Sequence, residues 1–140
     1  MPFPARANAQ VTVGLSTGNA RLGSDTTNST AVLGTSPSPV GLSVTCDVPA
    51  GRRLLIRWRL AYISAANPRV GIYEDGALIC LWVHNAGENV LRTASDFWEH
   101  TPAGGNHTYE VRAYSAATGT MDLHCDETPG LLIVEDFGPA

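Results

Sequence analysis

Leu54, Ile56, Trp58, Leu60 and Tyr62 interleave with Arg53, Leu55, Arg57, Arg59 and Ala61. A helix would scatter the arginines around its cylinder. A strand places Arg53, Arg57 and Arg59 on one wet face and the large apolar row on the other. The same period of two joins Val40, Leu42, Val44 and Cys46 across Gly41, Ser43 and Thr45. Residues 70–74 and 77–83 flank Asp75 and Gly76, a pair suited to the positive φ angles of a tight hairpin turn. The second arm is apolar on both faces, which predicts a central strand or one covered by a subunit. Turn clusters recur at 85–89, 101–106, 115–119 and 126–130. Short strands at that spacing predict an all-β antiparallel sandwich or barrel. No segment carries a helical stripe, and no internal repeat is visible.

A chain of 140 residues makes one domain, and at this size about two-thirds of the open chain's surface can be buried. The charge is unevenly spread, since only Arg6, Arg21 and Asp25 are charged in the first 45 residues. That stretch lacks the apolar density for a core of its own. It reads as an extended N-terminal arm over 1–39, followed by a β-sandwich over 40–140. Two short runs in the arm, residues 11–15 and 30–34, become strands where a neighbour supplies a surface.

A formal net charge of −4 and a pI near 5.4 argue against nucleic acid as a partner. No apolar run is long enough for a membrane-spanning helix, and the N-terminus lacks the pattern of a secretory signal. Without that signal, Cys46, Cys80 and Cys125 read as reduced, structural thiols. His84, His100, His107 and His124 do not have metal-ligand spacing; His107 reads as a ring packed over a turn, and His124 and Cys125 should point to opposite faces of a strand. Asp122, Asp126 and Glu127 lack the spacing of a calcium loop. Glu135 and Asp136 read as the end of a strand. No nucleophile motif or phosphate-binding fingerprint occurs. The expectation is therefore a protein that is not an enzyme, with no metal and no cofactor.

Trp58 is in phase with the apolar face and reads as core. Trp82 and Trp98 lie where both strand faces are partly apolar, which suits the core, a subunit interface or a sugar-stacking platform. With Leu81 and Val83 they form the predicted subunit interface.

The stretch Thr101-Pro102-Ala103-Gly104-Gly105-Asn106-His107-Thr108-Tyr109-Glu110-Val111 and the ending Pro129-Gly130-Leu131-Leu132-Ile133-Val134-Glu135-Asp136-Phe137-Gly138-Pro139 resemble small jelly-roll virion proteins of tailed bacteriophages that infect actinobacteria. The resemblance covers about residues 40 to 140. It implies a jelly-roll-like sandwich at the virion surface, assembled in the bacterial host cytoplasm and trimeric. The expected role is a capsid decoration protein that binds the major capsid protein of the head as a homotrimer. In that role the arm attaches through Phe3, Arg6, Val11, Val13 and Leu15. The alternative is a minor tail, receptor-binding or carbohydrate-binding jelly-roll module, and an exposed aromatic with Asp, Asn and Arg nearby in one loop cluster would favour it.

Overall fold

The computed structural model describes residues 20–27, 30–64, 68–83, 91–115, 119–123 and 129–140. These contain ten strands and no helix: β1 (Ala20–Thr27), β2 (Thr30–Leu33), β3 (Ser38–Val48), β4 (Arg52–Ser64), β5 (Arg69–Glu74), β6 (Ala77–Val83), β7 (Leu91–His100), β8 (Gly105–Tyr114), β9 (Gly119–Leu123) and β10 (Gly130–Pro139). One sheet has the order β3-β8-β5-β6. The other is built around β4, which pairs with β7, β10 and β9, while β1 pairs with β10 and β2 with β9. Every pairing in both sheets is antiparallel.

Leu54 to Arg59 pair with both β7 and β10, and Tyr62 and Ile63 pair with both β7 and β9. Since a strand has two edges, β7 occupies one and β10 followed by β9 the other. The chain crosses between the sheets on passing from β2 to β3, β3 to β4, β4 to β5, β6 to β7, β7 to β8 and β8 to β9. That path is an antiparallel jelly-roll sandwich, the expected fold class.

The core lies between the sheets. β3 contributes Val40, Leu42, Val44, Cys46 and Val48, and β4 contributes Leu54, Ile56, Trp58, Leu60 and Tyr62, each in strict alternation. Leu33 on β2, with Val70, Ile72, Tyr109, Val111, Ala113, Leu132 and Val134, completes it. Trp58 is 2% exposed, as its phase requires. Asp75 and Gly76 have φ of 49° and 86° and close the β5–β6 hairpin. Glycine pays no Cβ penalty there, and Asp tolerates the left-handed region better than most residues.

Three sequence readings change. β1 and β2 are strands of the sandwich, so a boundary at residue 40 falls inside it; the 30–34 run finds its surface in β9. Among the described residues β6 pairs only with β5, at the edge of its sheet, so of the two alternatives for this strand the central one falls. Ile79 and Trp82 pack on the core, while Leu78 and Leu81 are 48% and 39% exposed. Glu135 and Asp136 do not end a strand. β10 runs on through an irregularity between Asp136 and Gly138 to Pro139, with Gly138 at φ 119°.

Candidate functional site

Paired residues on neighbouring strands point to the same face. The outer face of the β4 sheet is therefore ordered in rows. Ile133, Arg57 and Phe97 form one row across β10, β4 and β7, and Leu131, Arg59 and Ser95 form the next. These six residues, with Trp58 and Asp96, line a groove of about 380 Å³. Its apolar walls come from β7 on one side and β10 on the other, about 10 Å apart at two strand spacings. Phe97 is 59% exposed.

The polar groups of the groove are unevenly matched. Arg57 Nη2 donates to Glu135 Oε1 at 2.7 Å. Asp96 Oδ1 accepts from the backbone N–H of Phe97. Among the described residues Arg59 meets only the Pro129 carbonyl, 3.5 Å from Nη2, and its buried Nε lacks an acceptor. Arg53, farther along the same face, lies over the Phe137 ring at 4.8 Å and also has an unsatisfied Nε. The arginines share one face as expected, but Arg53 and Arg59 are half-buried.

A second polar cluster joins the two sheets at one end. His100 on β7 contacts Glu74 Oε2 on β5 through Nε2 at 3.1 Å, and the Tyr109 hydroxyl donates to Glu74 Oε1 at 2.9 Å. His107 meets Asp75 and the Ala103 carbonyl through its two ring nitrogens, and the Thr108 backbone N–H donates to Asp75. Burial, then the bond to Glu74, pushes the Tyr109 phenol well above its ordinary value. His107 is raised first by Asp75, and Asp75 is lowered first by Thr108 and then by His107. These bonds tie β7 of one sheet to β5 and β8 of the other, which suits a clasp. Among the described residues no group of three or more His, Cys, Asp or Glu could hold a metal ion.

Of the predicted interface residues, Leu81 and Trp98 are 39% and 41% exposed. Trp82 is half-buried against Trp58, with ring centroids 4.8 Å apart. The Val83 side chain lies outside the described residues, as do Phe3, Arg6, Val11, Val13 and Leu15, and also His84, His124 and Cys125. Cys46 is buried and Cys80 half-buried, and both are free thiols raised chiefly by desolvation. Sequence reasoning missed Phe97, Arg59 and Glu135 as neighbours. The available signal was the adjacency of Phe97 and Trp98 on a strand, since only one of two consecutive rings can face inward.

No family model matches the chain. No curated protein matches it either. Among solved structures, it is similar to the C-terminal CBM6 of LamC, a marine laminarinase from Zobellia galactanivorans, at 13% identity and a TM-score of 0.42, over 85% of this chain and 99% of that one. It is similar to the CBM35 from Paenibacillus barcinonensis at 10% identity and a TM-score of 0.32, over 82% and 96% of the two chains. A cycloisomaltooligosaccharide glucanotransferase of Paenibacillus sp., complexed with cycloisomaltoheptaose, matches at 16% identity and a TM-score of 0.38, over 88% of this chain and 17% of that one.

Proposed function

We propose that the chain is a binding module rather than an enzyme, and that it takes a saccharide on the outer face of the β4 sheet. The observation that carries this reading is the exposed Phe97 ring facing Leu131 and Ile133 across Arg57 and Arg59. A pyranose has an apolar C–H face and a polar hydroxyl rim. An aromatic face accepts the first, and fixed charged groups beside it accept or donate to the second. The test is calorimetric titration of the intact protein with a panel of oligosaccharides. Binding that is lost in Phe97→Ala supports the reading, and a panel without a binder overturns it.

A second reading, a homotrimeric capsid decoration protein, draws on a different observation. Leu78 and Leu81 on β6 and Trp98 on β7 are exposed along two edge strands, and exposed apolar side chains gathered on one side of a molecule mark a protein contact. The residues expected to attach it, Phe3, Arg6, Val11, Val13 and Leu15, lie outside the described residues. Light scattering that gives a trimer, together with binding to undecorated phage heads, supports this role; a monomer that ignores heads removes it.

A further inference from the structure

We infer that the saccharide held in the Phe97 groove carries a carboxylate, and that Arg59 is the residue that binds it. The inference rests on the saccharide-binding reading above and names the class of sugar. Its basis is charge matching inside the groove. The Arg57 guanidinium is engaged by Glu135 at 2.7 Å, and Asp96 turns one oxygen to the backbone of its own strand. Arg59 has no carboxylate partner among the described residues. Its one acceptor, the Pro129 carbonyl, is at 3.5 Å, the outer limit of a hydrogen bond, and its Nε is buried without an acceptor.

A guanidinium offers five N–H donors in a planar fork, and a half-buried one leaves those donors costly to neglect. The ligand that best satisfies such a fork is a carboxylate, which accepts two parallel N–H bonds. Arg59 shares its row with Ser95 and Leu131, one row from Phe97. A single uronate ring therefore stacks on Phe97 while its carboxylate reaches Arg59 and its hydroxyls reach Ser95. Neutral sugars fill the same groove but offer the fork only hydroxyl oxygens, without the paired acceptors of a carboxylate.

The experiment titrates the full chain with a galacturonate tetrasaccharide and with the neutral galactose tetrasaccharide, at low and at high salt. The expected result is at least about tenfold tighter binding of the acidic sugar, a charge-assisted hydrogen bond's worth, falling as salt rises. Arg59→Gln should remove that preference, so that the ratio of acidic to neutral affinity falls to about one, while Phe97→Ala should weaken both sugars and keep the ratio. Glu135→Gln supplies a variant that does not touch Arg59; by freeing Arg57 it should tighten the acidic sugar further. Equal affinity for the two sugars with an inert Arg59→Gln overturns the inference and leaves the saccharide reading standing. Failure of both sugars to bind overturns the inference, and the oligosaccharide panel then decides the saccharide reading.

Discussion

Nδ1 of His107 lies 2.7 Å from a carboxylate oxygen of Asp75, while Nε2 of the same ring lies 2.9 Å from the Ala103 carbonyl. Both neighbours only accept, so the arrangement favours the ring that donates from both nitrogens, the imidazolium. Its pKa is raised from the ordinary 6.5, and that of Asp75 is lowered from 3.8. The contribution of His107 to stability is fully present below about 6.5 and is lost as pH rises through its folded value. That of Asp75 is present above 3.8 and lost as pH falls through its folded value. The pair therefore gives most between about pH 4 and 6.5. Melting temperatures measured across pH 3 to 9 should peak in that window. Proton NMR should place His107 above 6.5 in the native chain and lower in Asp75→Asn.

Asp136 supports a second prediction. Its carboxylate accepts from Arg52 Nε at 2.9 and 3.0 Å and from the Gly138 backbone N–H at 3.0 Å, so it fixes both an ion pair and the irregularity that carries β10 past residue 137. Removing one member of a buried pair leaves the other charge in a poor environment. Asp136→Ala should cost about 3–5 kcal/mol in urea unfolding. The conservative Asp136→Asn should recover part of this through the backbone bond alone.

How far the fold was legible follows from what each strand does. β4 announced itself because one face is buried and the other wet, which forces period two on the sequence. The Asp75–Gly76 turn was equally plain, because few residues accept positive φ in succession. β1 was not legible. Its partner residues against β10 include Arg21, Gly23, Ser24, Asp25 and Thr26, and Leu22 is its side chain packed against the core. Its strand conformation comes from backbone pairing, which leaves no trace in side-chain pattern. The groove was hidden for a related reason. Arg57 and Glu135 meet across β4 and β10 at a separation of 78 residues, and only the register brings them together.

The two tryptophans of the predicted interface should behave differently. Trp82 packs edge-on to Trp58 and covers the core, whereas Trp98 is 41% exposed. Trp82→Ala should lower stability by about 3 kcal/mol through lost burial. Trp98→Ser and Leu81→Ser should each cost less than this, about 1 kcal/mol, because both side chains are only partly covered on edge strands. Denaturant melts decide this, and light scattering on the same samples shows whether the exposed pair joins subunits. A large destabilisation by Trp98→Ser would mean that its ring is buried in the folded protein.

The same logic separates the groove from the fold. Phe97 pairs with Arg57 on the outer face and stands 59% exposed, so its ring adds little to the core. Phe97→Ala should leave the midpoint of unfolding within about 0.5 kcal/mol of the parent, because no cavity opens between the sheets. Its effect should fall on binding, where loss of an aromatic platform removes about 1–3 kcal/mol, or roughly 5- to 150-fold in affinity. Phe97→Tyr preserves the ring face and should keep most of that affinity. A Phe97→Ala protein that binds saccharide as well as the parent would move the site elsewhere on the sandwich.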